Sequence, residues 1–201
     1  MMTKAKLLAG AALVSTLLFT APAFAQENTN RYDHGFYAGG FGGYGWTDAD
    51  TAAADDVNGS DWGIFVGYEL TTLMERMDWG FSAAIEAHYA WSTADDGAGA
   101  TAVDKEHEYG ISFRPGLAFL NGVTPMNLRP YGIIGYRNAK FENSIAGADD
   151  DFHGLELGVG TEIMAYDNWG VRLDYTHVFY GSEGTMDPDE DDIRLGVAYH
   201  F

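Results

Sequence analysis

Three groups of residues in this 201-residue chain have types and spacings that bear on chemistry. His177 and Ser182 together bring to mind a base and a nucleophile. That chemistry needs the serine within hydrogen-bond reach of the imidazole and a third group to orient it. On an extended strand, however, the residue sharing a face with His177 is Phe179. An interfacial histidine without a catalytic role is the simpler reading, and no enzymatic activity is expected. The run Asp187-Pro188-Asp189-Glu190-Asp191-Asp192 has the alternating carboxylates that open a calcium loop. Asp192 stands where the sharp turn needs glycine, and Ala198 where the bidentate glutamate belongs, which excludes an EF-hand. Solvated loop charge is the preferred reading, with looser divalent-ion binding as its alternative. Gly40-Phe41-Gly42-Gly43-Tyr44-Gly45 matches the glycine string of dinucleotide-binding turns. That motif needs a strand before it and a helix after it, whereas here the string lies inside an alternating segment. No cofactor and no resident metal are expected.

The more informative charges are spread along the chain. Glu69, Glu86, His88, Arg114, Arg137, Glu156, Glu162, Arg172, Asp174 and Arg194 each sit among small residues, on the opposite parity from an apolar set. In 79–91, for example, Trp79, Phe81, Ala83, Ile85, Ala87, Tyr89 and Trp91 alternate with Gly80, Ser82, Ala84, Glu86, His88 and Ala90. The same period of two recurs in 36–46, 62–70, 109–119, 128–141, 155–163, 169–179 and 193–201, and no window shows the recurrence of an amphipathic helix. Pro115 is awkward inside the fourth segment and predicts a local bulge.

Eight such strands, with aromatics at the ends of their apolar faces, predict an all-β fold: an eight-stranded antiparallel up-and-down transmembrane barrel. Charge decides the facing. An ionised side chain in lipid at mid-depth costs roughly 2–4 kcal/mol, so the uncharged face meets lipid and the charged faces meet inside. An eight-stranded interior is just wide enough for side chains to fill it, so the ten inward charges should pair across the lumen and leave a plug. Connections at 71–78, 121–127 and 165–168 are short. Those at 47–61, 92–108, 142–151 and 181–192 are generally longer and acidic. Short periplasmic turns alternating with longer external loops fit that asymmetry.

Both ends of the chain point the same way. Lys4 and Lys6 precede an apolar stretch over 7–19, and Ala23-Phe24-Ala25 follows, which predicts a signal peptide over 1–25 cut between Ala25 and Gln26. A short periplasmic segment, 26–35, then leads into a barrel domain over 36–201. The apolar stretch is too short to span a bilayer as a helix. Loss of Lys4 and Lys6 takes the formal charge from −19 to −21, a surface that repels nucleic acid. With no cysteine, the fold must be held by its hydrogen-bonded sheet instead of disulfides.

The motifs Gly35-Phe36-Tyr37-Ala38-Gly39-Gly40, Val66-Gly67-Tyr68-Glu69, Arg129-Pro130-Tyr131-Gly132, Leu157-Gly158-Val159-Gly160 and Tyr199-His200-Phe201, taken with the strand count, carry a family resemblance. The chain resembles the small opacity-type, OmpA-like outer-membrane β-barrel proteins over 36–201. The resemblance implies residence in the outer membrane among lipid and lipopolysaccharide. It also implies insertion by the outer-membrane assembly machinery, which would read Leu195, Val197, Tyr199 and Phe201. A structural or adhesion-like surface role, with any ligand at the external loops, is implied in the same way. The competing readings are a lipid A-modifying barrel enzyme and a small porin.

Overall fold

The computed structural model describes residues 32–48, 57–74, 77–93, 103–119, 127–143, 149–166, 168–181 and 189–201. The expected cleavage site at Ala25 and Gln26, and Ser182, lie outside them. Alternating β-branched and aromatic residues form eight strands: β1 (Tyr32–Asp48), β2 (Val57–Leu73), β3 (Trp79–Ser92), β4 (Val103–Phe119), β5 (Asn127–Asn143), β6 (Asp149–Tyr166), β7 (Trp169–Tyr180) and β8 (Asp189–His200). Each is antiparallel to its chain neighbours, and β1 pairs with β8 to close the barrel.

The pairing fixes the barrel's shape. Partners run from Tyr37 through Gly67, Glu86, Ser112, Gly135, Glu156, Val178 and Glu190 and return to β1 at Thr47, ten residues beyond the start. Eight strands with that stagger tilt by about 40° and enclose a cylinder about 8 Å in radius. Side chains projecting from opposite walls therefore meet near the axis.

The apolar parity faces outward. Phe36, Val66, Ile85, Ile111, Val159, Leu195 and their neighbours are exposed. Aromatics gather at two levels of this surface. Near the external end, Trp62 stacks on Trp91 at 4.5 Å, and Tyr89 meets Trp91 edge-on at 4.8 Å. Near the periplasmic end, Trp169 packs against Tyr199 at 5.0 Å and Tyr199 against Phe201 at 5.1 Å. Such girdles bracket an apolar band about 25 Å tall in barrels that cross membranes.

Three expectations are corrected. The strands reach further than the alternation of apolar residues indicates: β1 starts at Tyr32, inside the segment expected to be a periplasmic leader, and β2, β4, β6 and β8 start inside the segments expected as external loops. Asp61, Lys105, Glu108, Glu190 and Asp192 are consequently buried strand residues, so Glu190 and Asp192 are not solvated loop charge. Above the aromatic girdle the outward positions are polar as well, for instance Ser60, His107 and Asp191, so no apolar period marks the strand there. Pro115, finally, shifts no register. The β4–β5 pairing keeps its phase from Phe113↔Ile134 to Gly116↔Tyr131, and the ring of Pro115 faces Gly132, which has no side chain to obstruct it. The irregularity in this ladder falls between Lys105 and His107 instead.

Candidate functional site

All ten charges read from the alternation point into the lumen, where acids and bases from different strands meet in three layers. The periplasmic layer joins Arg129 of β5 to Glu69 of β2 at 3.0 Å, and His200 of β8 to Glu162 of β6 at 2.9 Å. Thr71 donates to Glu69 at 2.7 Å.

The middle layer is built on Glu86 of β3, which is wholly buried. Arg172 of β7 donates to it through both terminal nitrogens, at 2.5 and 3.1 Å, and Arg114 of β4 approaches at 2.8 Å. Tyr37 of β1 donates its hydroxyl at 3.0 Å. Arg114 also donates to Asp174 of β7 at 3.0 Å, and the Tyr131 hydroxyl donates to the same carboxylate at 2.5 Å. The guanidinium of Arg172 lies 3.5 Å from the centre of the Phe65 ring, a cation–π contact inside the barrel. These large groups fit because their ladder partners on the adjacent strands include glycines. A Cβ on Gly67 would lie 2.3 Å from the Tyr37 ring, and one on Gly160 would lie 2.3 Å from the Asp174 carboxylate.

The external layer contains the residues that alternation alone did not reveal. Arg137 of β5 donates to Glu156 at 2.5 Å and to Asp192, and lies 3.6 Å from Glu108. Arg194 of β8 pairs with Asp61 at 2.8 Å and with Glu108. Lys105 bridges Glu108, at 2.8 Å, and Glu190, which also accepts the Tyr180 hydroxyl at 2.7 Å. His88, the tenth residue expected in the lumen, is buried there with Nε2 3.9 Å from Glu108 Oε1, and that nitrogen has no hydrogen-bond partner among the described residues. Asp61, Glu108, Glu190 and Asp192 keep the inward parity of their strands and could have been found by extending it. Lys105 could not, because the register shift beside it reverses the parity.

The middle and periplasmic layers line a cavity of about 30 Å³, bordered by Tyr37, Ser82, Arg114, Arg129 and Tyr131 among others. That is room for roughly two water molecules.

Outside the barrel, the strand geometry divides the acidic run. Asp191 faces outward while Glu190 and Asp192 face inward, so the three carboxylates cannot converge on one ion. Asp191 Oδ1 accepts from His177 Nδ1 at 2.9 Å and from the Tyr175 hydroxyl at 2.7 Å. The imidazole thus has an orienting carboxylate that the sequence did not disclose. Its neighbour across the same face is Phe179, with ring centres 4.3 Å apart. The four residues Leu195, Val197, Tyr199 and Phe201 share the outward face of the chain's last segment, and the Phe201 amide donates to the Phe36 carbonyl at 2.9 Å, tying that end to β1. The glycine string at Gly40 lies within β1, and among the described residues no helix follows it.

The fold has counterparts among solved structures. Neisserial surface protein A, from Neisseria, is 16% identical, with a TM-score of 0.54 over 86% of this chain and 100% of that one. The attachment invasion locus protein Ail of Yersinia pestis, in complex with the heparin analogue sucrose octasulfate, is 18% identical over 83% of this chain and 99% of that one, with a TM-score of 0.46. The N-terminal β-barrel domain of Pseudomonas aeruginosa OprF is 15% identical over 82% and 97%, with a TM-score of 0.36. No curated protein sequence matches. Residues 11–201 match the outer membrane protein beta-barrel domain, and so the chain belongs to that family and resides in the cell outer membrane.

Proposed function

We propose that this outer-membrane protein is a non-enzymatic barrel with a plugged lumen, and that its role is structural or surface-interacting. The observation that carries this reading is the middle layer, where Glu86, Arg114, Arg172 and Asp174, from three strands, join across the axis with Tyr37 and Tyr131 filling the gaps. A hydrated solute would have to break several charge-assisted hydrogen bonds to pass. Lipid and lipopolysaccharide surround the apolar band, and the assembly machinery reads Leu195, Val197, Tyr199 and Phe201. Any specific ligand binds at the external loops, because binding residues concentrate where loops are held by a rigid scaffold. Liposomes loaded with refolded protein should swell in small sugars no faster than empty ones. Swelling at rates typical of porins would overturn the plug.

A second reading, a lipid-modifying enzyme, draws on one observation: the orientation of His177 by Asp191. Among the described residues no serine shares that face of β7, where Phe179 stands beside His177. Mass spectrometry of lipid A from cells expressing wild-type protein or His177→Ala should give identical species. A difference between them would favour the enzyme.

A further inference from the structure

Charge is unevenly distributed along the lumen. In the middle layer Glu86 and Asp174 balance Arg114 and Arg172, and in the periplasmic layer Glu69 and Glu162 face Arg129 and His200. The external layer holds five carboxylates, Asp61, Glu108, Glu156, Glu190 and Asp192, against three permanent cations, Lys105, Arg137 and Arg194, and the imidazole of His88. Each of these nine residues is 7% exposed or less, so bulk water screens none of the excess.

The contacts show where that excess falls. All three cations converge on Glu108, and Arg137 and Arg194 both reach Asp192. Among the described residues, Glu190 has only Lys105 and Asp61 has only Arg194, each a cation already shared with other acids. Asp61 Oδ1 is buried without a hydrogen-bond partner among the described residues. Glu190 Oε1 and Asp192 Oδ1 both border the space left by Gly45, lying 3.2 and 2.5 Å from where a Cβ there would stand. Buried carboxylates that have to share a cation disfavour joint ionisation, and a buried acid without its own counter-charge neutralises by keeping a proton.

We propose that the external layer is a proton-linked closure of the barrel mouth. With His88 uncharged it is neutral only while Asp61 and Glu190 each hold a proton, and it loosens when they ionise. Asp61 is faced by Arg194 and Asp192 from β8 and by Lys105 and Glu108 from β4. Glu190 is faced by Lys105 and Glu108 from β4, Arg137 from β5 and Tyr180 from β7, with Asp192 on its own strand. Because these acids stay protonated in the folded state above the range in which they ionise when unfolded, the stability they confer is complete at low pH and declines as pH rises.

The inference rests on the water-poor lumen proposed above, but its readout is separate: permeation tests the plug, and the pH profile of stability tests this layer. In refolded wild-type protein the midpoint of heat-induced loss of the folded electrophoretic band should fall by about 5 °C as pH rises from the ordinary carboxylate range, about pH 4, to about pH 9. The double variant Asp61→Asn/Glu190→Gln keeps the shapes but removes the ionisation, and its profile should be flat over that range. If the double variant does not fold, each single variant should remove about half of the slope. Equal slopes in wild type and variants would overturn the proposal. So would a wild-type loss at high pH that magnesium ions reverse, since a metal ion would then be the missing positive charge.

Discussion

Glu86 shows what one residue does here. It is wholly buried and accepts from Tyr37 and from both terminal nitrogens of Arg172 while pairing with Arg114. Glu86→Gln keeps the size and leaves two guanidinium groups facing a neutral amide. Removing one member of a buried charge network costs about 3–5 kcal/mol, so the urea midpoint of unfolding should fall clearly relative to wild type. An unchanged midpoint would mean that the layer is hydrated and screened. Glu86 and its nine companions were legible in the sequence because each stands on the small-residue parity of an otherwise apolar strand. Asp61, Glu190 and Asp192 share that parity but lie at or beyond the last apolar outward residues, Trp62 and Ile193, where polar outward neighbours such as Ser60 and Asp191 end the contrast that makes alternation visible. Lys105 was illegible for a different reason: the register shift between it and His107 inverts which residues face inward.

At the scale of the element, the strands divide chemistry between two faces, and the division has a measurable cost. Val159 of β6 is 62% exposed on the apolar band, between the two aromatic girdles. Val159→Lys should destabilise the folded barrel in lipid by about 2–4 kcal/mol, whereas Ser60→Lys, beyond the girdle at Trp62, should cost about 0–1 kcal/mol. Reversible urea titration in vesicles measures both, and equal costs would contradict the assigned faces. β8 and the residue after it present Leu195, Val197, Tyr199 and Phe201 to the outside while the Phe201 amide holds the Phe36 carbonyl. Deleting Phe201 removes one aromatic of the lower girdle and that hydrogen bond. The amount of heat-modifiable protein recovered from the outer membrane should drop, and normal levels would argue against an assembly role. The number, order and facing of the strands were readable from the period of two. Their outer limits were not, because that period marks only the part of a strand that lies in lipid.

The whole molecule is a closed sheet whose size and stagger set what it can enclose. Ten residues of stagger over eight strands give an interior that Arg, Glu and Tyr side chains reach across, so charges on the inner wall can pair with charges from other walls. That follows from the closed pairing, which the sequence implied only through strand count and alternation. The external loops, where a surface ligand would act, carry acidic residues in the sequence but no motif that names a partner. The claim on which the rest depends is that the three ion-paired layers shut the lumen. Single-channel recording of refolded wild-type protein in planar bilayers tests it most directly. The account predicts a flat current apart from rare, brief openings, and a large, steady conductance would contradict it.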